Sequence, residues 1–430
     1  MVDHSSDYKN VSCVVKKGLC CGCGTCYALC PNEAIDFKSD SNNGVYQPKI
    51  ISGKCSSCGI CLKICPGLEV DFQLLEKRFF SYNRLNDLIG IYRECYVGYS
   101  SAQKLRYNSS SGGVVTELLR VAFKIGLINS AVITKTDIEP HNKIIKINPY
   151  LANNADESEK GIGSKYASVP LNVILKKVMK SNGKYGIVGL PCHIHGIRKA
   201  QEIFPVLKDR IVFCIGLFCA ASFKLSGTYY LMKKMKVDLS KLKSLSYRGN
   251  GWPGGMTLEF LDGYSLFIEM DKYYTSDFGA FIMPRCISCC DHSSELADLS
   301  CGDAWQKRDE DSSGTSVLVV RSGVGEKLIE HAVLSRQVVL EKANLSDILM
   351  SQDMFNNKKR HITATFTLLK ILRKPLPKYN GVKLAQPHVE SYLIALSVLI
   401  KSVLSSREKL WPLLRLFCKA TDFINGLVKK

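Results

Sequence analysis

One run of cysteines, present twice, constrains this chain more than anything else in it. The first copy is Cys20-x2-Cys23-x2-Cys26-x3-Cys30-Pro31 and the second is Cys55-x2-Cys58-x2-Cys61-x3-Cys65-Pro66. Three closely spaced thiolates wrap one face of an iron–sulfur cubane, and the fourth cysteine of each run reaches the other cluster. The spacing assigns Cys20, Cys23, Cys26 and Cys65 to one [4Fe–4S] cluster and Cys55, Cys58, Cys61 and Cys30 to a second. Gly22, Gly24 and Gly59 let the backbone turn tightly around them. Structural zinc is the alternative, but zinc modules use paired CxxC units rather than a fourfold run ending in Cys-Pro. Cys21 adjoins a ligand and is expected to point away from the cluster, and Cys13 reads as a free thiol.

The other cysteines fit the same redox reading. Of 19 in a chain of 430, ten fall between Cys13 and Cys65, and the total is odd. A chain of this length has room for two or three domains and needs no disulfide scaffold. The start, MVDHSSDYKN, carries no apolar run, so no secretory signal is expected. A reducing cytoplasm with cysteine-ligated metal follows, optionally at the inner face of a membrane. Hydrophobic residues at 46% and charged residues at 23% exclude a disordered chain. The formal charge is +19, though thiolate-bound clusters and a cofactor phosphate would lower it. Much of the excess is local, with 12 Lys+Arg against 3 Asp+Glu over residues 361–430. Such a surface suits an acidic protein or an anionic membrane. Nucleic acid would explain the charge but none of the redox apparatus.

Texture divides the chain into residues 1–80, a two-cluster ferredoxin-like domain; 81–350, an α/β (α+β) catalytic domain; and 351–430, a basic helical extension. In the middle domain helices are predicted over Val114–Ile128, Val169–Met179 and Gly325–Ala332. Buried strands are predicted at Tyr185–Leu190, Ile211–Phe218 and Val317–Arg321, with another beginning at Ala131. Asp262–Gly263 marks a hairpin. In the extension, His361–Leu372, Tyr392–Leu404 and Leu413–Val428 read as helices that pack on the core or on a partner, or lie on a membrane surface. Lys401 and its length make the second unsuited to crossing a bilayer.

Several loops are too glycine-rich and polar to be plain connectors. Ser110–Ser111–Gly112–Gly113 opens the Val114 helix, either as an anion site or as an ordinary helix start. Gly163–Ser164–Lys165–Tyr166 places a lysine and a tyrosine beside a turn. Gly189–Leu190–Pro191–Cys192–His193 ends a strand, where ligands of α/β sheets bind. Arg248, with Trp252 in a loop of four glycines, suits a flat ring with an anionic tail, or else forms a packed surface turn. No GxGxxG or GxxxxGK[ST] element is present. Cys192, Cys219, Cys286 and Cys289 are candidates for a third cluster, with Cys214, Cys290 and Cys301 competing. Asp298 and Asp303 are loop anchors, substrate-orienting groups or turn residues, and His195 reads as a packed or exposed polar residue.

With these pieces in order from about Leu19 to Leu345, the chain resembles the beta-subunit family of coenzyme F420-reducing hydrogenases and dehydrogenases, in the form with a fused two-cluster ferredoxin. The resemblance rests on Cys65–Pro66–Gly67, the loops just named, Phe218–Cys219, Tyr247–Arg248, Trp252–Pro253–Gly254, Cys286-x2-Cys289, Ala297–Asp298 and Gly302–Asp303–Ala304–Trp305. It implies FAD among the glycine-rich loops and a third [4Fe–4S] cluster beside it on Cys192, Cys219, Cys286 and Cys289. Its cofactor-binding candidates are Ser110, Ser111, Gly112, Gly113, Gly163, Ser164, Lys165, Tyr166, Gly189, Pro191, Arg248 and Trp252. The catalytic candidates, Lys165, His193 and Arg248, are orienting or charge-compensating groups, because the cofactor carries the chemistry. The implied reaction moves hydride from reduced coenzyme F420 to the flavin and single electrons through the clusters to a redox partner protein. The alternative is a ferredoxin-driven flavin reductase of an organic substrate such as a glycan or lipid precursor. A redox partner, peripheral membrane contact through the basic helices and a homo-oligomer are the associations expected.

Overall fold

The computed structural model describes residues 9–39, 44–80, 84–307, 312–352 and 354–428. Eight strands form the central sheet. They are β1 (Glu94–Ser100), β2 (Ser130–Glu139), β3 (Ile144–Ala152), β4 (Tyr185–Gly189), β5 (Ile211–Leu217), β6 (Leu299–Asp303), β7 (Ser316–Val320) and β8 (Val338–Lys342). Their spatial order is β8-β1-β7-β6-β5-β4-β2-β3. The middle four, β2, β4, β5 and β6, run parallel, while the outer pairings are antiparallel. Apolar runs such as IVFCIGL belong in the middle, where both sheet faces are covered.

Helices cover both faces. On one, α1 (Val114–Lys124) and the later helix α3 (Gly323–Leu334) pack Leu118, Leu119, Leu328 and Ile329 on Phe213, Ile215 and Leu318. On the other, α2 (Pro191–Ile203) packs Ile194 and Ile197 on Ile187 and Ile211. Helix α1 stops short of the expected Ile128 because Gly126 takes a left-handed conformation just beyond it. The helix expected over Val169–Met179 is instead two turns, Leu171–Ile174 and Leu175–Val178. Asn172 explains the break. Its backbone N–H donates to Cys23 O at 2.9 Å, and its side chain donates to Thr25 Oγ1 and His193 O.

The expected hairpin is present, joining Gly255–Phe260 to Ser265–Glu269 in a separate three-stranded sheet. The cysteine-rich segment carries its own hairpin, Ile35–Ser39 against Tyr46–Ile50. It does not stand apart from the rest, since Ala28, Leu29, Ile64 and Val70 share one apolar cluster with Ile187 and Ile194.

The C-terminal segment is also knitted in. Helix α4 (Met354–Ile371) begins seven residues before the expected His361, and its Phe355 and Ile362 are core residues. Strand Lys378–Asn380 pairs in parallel with Glu69–Asp71 of the N-terminal segment. Residues 351–430 are thus not merely an appended helical extension. Helices α5 (Val389–Leu404) and α6 (Trp411–Val428) follow. On α5, Val389, Leu393, Leu396, Ile400 and Val403 form one exposed stripe at alternating four- and three-residue spacing. Among the described residues no helix is long and apolar enough to cross a membrane.

Candidate functional site

A cavity of about 440 Å³ opens at the C-terminal ends of β4, β5 and β6, where Gly189, Leu217 and Asp303 lie in its wall. The sheet explains the location, since loops leaving the ends of parallel strands surround a shared crevice. The volume is that of a small-molecule or cofactor pocket.

Four of the loops read from the sequence meet here. Ser110, Ser111, Gly113, Gly163, Ser164, Lys165, Tyr166, Gly189, His193 and Arg248 all line the cavity. The Ser110 hydroxyl accepts from the Ser164 N–H at 2.6 Å and so fastens two loops together. Ser111 is held by Thr315 O at 2.9 Å and Ser316 Oγ at 3.0 Å. Gly113 precedes α1 in a left-handed conformation, and no side chain caps that helix start. Val114, Val115 and Thr116 of its first turn line the cavity, so the positive end of the helix dipole lies at the cavity wall.

Lys165 and His193 are anchors by their partners. The Lys165 ammonium donates to Gly161 O, Ile162 O and Gly163 O at 2.6, 2.9 and 2.9 Å, folding its own loop around itself. Burial lowers its pKa to about 7. His193 accepts from the Leu190 N–H at Nδ1, 3.1 Å, while Nε2 faces Val169 O at 2.9 Å. Those contacts fix the neutral Nε2–H tautomer, and burial lowers the pKa to about 4. With both nitrogens occupied and the ring neutral, His193 anchors its loop.

Arg248 differs. Its Nη1 donates to Asp303 Oδ2 at 2.8 Å and its Nε to Pro253 O at 3.2 Å, whereas Nη2 has no hydrogen-bond acceptor among the described residues. A buried guanidinium N–H without an acceptor is costly. An anionic or carbonyl-bearing ligand in the cavity would satisfy it. The unpartnered Arg248 donor and the uncapped start of α1 together fit an anionic ligand.

Three expected binding residues sit elsewhere. Trp252 is packed behind the wall against Trp305, ring centroids 5.0 Å apart, and it is Trp305 that lines the cavity. The tryptophan beside the arginine in sequence was the tempting choice, but the Gly302–Asp303 strand end carries the facing one. Gly112 also lies outside the lining. A Cβ there would come within 2.7 Å of Gly98 O, so its smallness serves packing of the loop on the sheet. Pro191 is the first residue of α2 and is not part of the wall.

The cysteines separate into groups. Cys219 lies in the cavity wall. Burial pushes its thiol up to about 12, with Lys358 opposing and Cys286 and Cys289 adding to the rise. Cys192 is in turn influenced by Cys21, Cys286, Cys23 and Cys219. Cys192, Cys219, Cys286 and Cys289 therefore gather at one place. Of the competitors, Cys301 is beside Ser316 and Asp303 in the cavity wall, Cys214 is beside Arg198 and Asp298 in the core, and Cys290 is beside Cys289, Glu295 and Asp291. Cys21 does not simply turn away as expected, for its thiol sits between Cys192 and Cys23. Among the described residues no three such side chains close around a single ion, as mononuclear zinc would need.

A buried polar network behind this group escaped the sequence reading. His195 Nε2 is 2.8 Å from Asp291 Oδ2, Lys359 is 3.2 Å from Glu295, and Lys358 donates to Cys219 O and Asp291 O, both at 2.7 Å. Asp298, one of the undecided aspartates, accepts from Arg198 at 2.9 Å and from the Cys214 N–H at 2.7 Å, so it is a loop anchor. Gln352 and Met354 also reach the cavity from the segment read as an extension. A Lys-Lys-Arg run is normally solvated, so nothing local marked Lys358 as buried.

A cysteine-rich chain with a cofactor-sized cavity sharing its wall with one thiol cluster defines a redox protein. Residues 19–67 match the 4Fe-4S dicluster domain. Residues 95–176 match the N-terminal part, and 182–346 the C-terminal part, of the coenzyme F420 hydrogenase/dehydrogenase beta subunit. Together these two parts span more than half of the chain, and the chain belongs to that family of iron–sulfur oxidoreductases. It is 27% identical over 253 residues to the coenzyme F420 hydrogenase subunit beta of Methanothermobacter thermautotrophicus, covering 57% of this chain and 83% of the relative. It is 26% identical to the coenzyme F420-dependent sulfite reductase of Methanocaldococcus jannaschii, covering 76% of this chain and 48% of that protein. One of the subunits of the F(420)H(2) dehydrogenase of Methanosarcina mazei is 25% identical, with 74% of this chain and 83% of the relative covered. A chain of the F420-reducing [NiFe] hydrogenase complex from Methanosarcina barkeri shares the fold, with a TM-score of 0.53 at 21% identity, covering 68% of this chain and 98% of that one.

Proposed function

We propose that the chain exchanges electrons between a reduced deazaflavin of the coenzyme F420 type and a one-electron protein partner, with FAD in the cavity and three [4Fe–4S] clusters. One observation carries this reading: Cys219 belongs both to the cavity wall and to the gathering of Cys192, Cys286 and Cys289. A ring in the cavity would thus lie beside the third group of thiolates. When bound, the flavin would supply two-electron hydride acceptance and the clusters one-electron carriage.

The chain's own residues position and charge-compensate. Arg248, fixed by Asp303, offers Nη2 to a carbonyl or phosphate oxygen. Ser110 and Ser164 hold two loops in register, and Lys165 ties its loop closed. The uncapped α1 start favours a phosphate. Cys20, Cys23, Cys26 and Cys65 would hold the inner cluster, and Cys55, Cys58, Cys61 and Cys30 the outer. Cys58 is exposed, which suits electron transfer to a docked partner. A peripheral contact, with a membrane or a second copy, would use the stripe on α5.

The test is an anaerobic absorbance titration of the flavin- and iron-loaded protein with reduced coenzyme F420. Bleaching of the flavin band in step with the appearance of oxidised deazaflavin is expected. A flavin that stays oxidised under that donor but bleaches with reduced ferredoxin would replace this reading by a ferredoxin-driven reductase of an organic substrate.

A further inference from the structure

The two adjacent lysines near the start of α4 have different partners. Lys359 is committed to a carboxylate, Glu295, at 3.2 Å. Lys358 is only 7% exposed and, among the described residues, makes no ion pair with a carboxylate. Its ammonium donates instead to two backbone carbonyls, Cys219 O and Asp291 O, each at 2.7 Å. Both carbonyls belong to the segments that carry the third thiol group, Cys219 itself and the stretch just after Cys289. A buried ammonium is costly unless anions surround it. The Asp291 carboxylate engages His195 through Oδ2 at 2.8 Å, while its Oδ1 has no hydrogen-bond partner among the described residues. The Asp291 carboxylate and the thiols of this group are thus the anions that face Lys358.

Resting on the cluster assignment proposed above, we infer that Lys358 is a positioning residue that sets the potential of the third cluster. The physics is that of a fixed positive charge beside a site that gains an electron. Reduction makes a four-thiolate cluster more negative, and a buried cation at close range favours the more negative state. Lys358 therefore raises the reduction potential of this cluster above that of the same site without the charge. This makes the cluster next to the cavity a better acceptor. Because the lysine comes from residue 358, the C-terminal segment takes part in the redox centre and is more than a cover for it. The two carbonyl contacts also hold the Cys219 loop against the stretch after Cys289, so charge and hydrogen bonding need separate variants.

The experiment is a redox titration followed by electron paramagnetic resonance on the anaerobically loaded full chain, with iron and acid-labile sulfide counted first. Lys358→Gln keeps N–H donors for the two carbonyls and removes the charge. Lys358→Arg keeps the charge. Lys359→Met leaves Lys358 untouched. A downward shift of one cluster's midpoint in Lys358→Gln, with the other two clusters unmoved and with Lys358→Arg close to the parent, is expected. Three intact clusters with all midpoints unchanged in Lys358→Gln would overturn the inference while leaving the cluster assignment standing. A shift equally large in Lys359→Met would also overturn it, because the effect would then belong to the whole buried network. A parent protein holding only two clusters would overturn the assignment itself. Should Lys358→Gln fail to retain the third cluster, Lys358→Arg decides. A loss in that variant too would make the role steric, whereas retention at the parent potential would keep the charge as the cause.

Discussion

The two cysteine runs are nearly the same in sequence and are set in opposite surroundings. In the first, Gly24 starts the short helix Thr25–Ala28 in a left-handed conformation; in the second, Gly59 starts Ile60–Lys63 in the same way, with φ of 87° and 74°. The repeat is therefore local. The difference lies in what surrounds it. A Cβ on Gly24 would meet Val173 Cγ1 at 2.6 Å, while one on Gly59 would meet open space. Cys23 and Cys26 are buried and Cys58 is exposed. Burial, helped by Cys65, pushes the Cys20 thiol up to about 12. Arg285 donates to Gly67 O at 3.0 Å beside Cys286, and Lys199 donates to Cys65 O at 3.0 Å, so the end of the second run, which gives Cys65 to the inner site, is strapped to the catalytic domain as well. One pattern thus serves two duties, an inner station against the domain and an outer one toward solvent.

Removing ligands should break the comparison most. Cys23→Ser is expected to lose four irons and to lower thermal stability by several degrees, because the inner run is also part of the packing. Cys58→Ser should lose iron from the outer site with little change in melting. Iron counting and a thermal melt read both, and equal destabilisation would show that the two runs are equally integrated. Next come the glycines. Gly24→Ala combines left-handed strain with a clash and should cost about 3 kcal/mol. Gly59→Ala carries the strain alone, about 1 kcal/mol. Denaturant unfolding of the two variants measures the gap. Asn172→Ala, which strips Thr25 and His193 O of their shared donor, should cost about 2 kcal/mol, with no counterpart at the outer run.

The smallest effect belongs to neither run. Asp277 fastens the base of α6, accepting from Lys234 at 2.8 Å and from Tyr230, which in turn accepts from Arg415 at 3.0 Å. Burial works against its charge, but Lys234, Thr275 and Tyr230 outweigh it and hold the carboxyl at about 2, below its usual 3.8. The native state therefore binds fewer protons than the unfolded chain between those values. Its stabilisation is complete above pH 3.8 and fades as pH falls toward 2. Because the partner Lys234 is partly exposed, solvent screening limits the contribution to about 1 kcal/mol. Asp277→Asn should flatten acid unfolding in that window, and an unchanged profile would remove the carboxylate from the account.

The comparison also explains what the sequence disclosed. Both runs were legible because their ligands are neighbours along the chain, and so were the parallel strands β2, β4 and β5, whose apolar runs need cover on both faces, whereas β6, the short LSCGD stretch, was read as loop and turn. The third thiol group was legible only as a set of candidates, since Cys192, Cys219, Cys286 and Cys289 meet through tertiary packing. Trp305 and Trp252 could not be told apart until the strand end and the glycine loop were placed. Lys358 was the least visible, because a basic run gives no sign that one of its members is buried beside thiols.

The most direct test of the inner-to-outer order is acceptor reduction by the loaded protein with reduced coenzyme F420 as donor and a bacterial-type ferredoxin as acceptor. In Cys58→Ser, flavin bleaching should persist while ferredoxin reduction falls at least tenfold. Ferredoxin reduction at the parent rate, with the outer iron confirmed absent, would contradict the account.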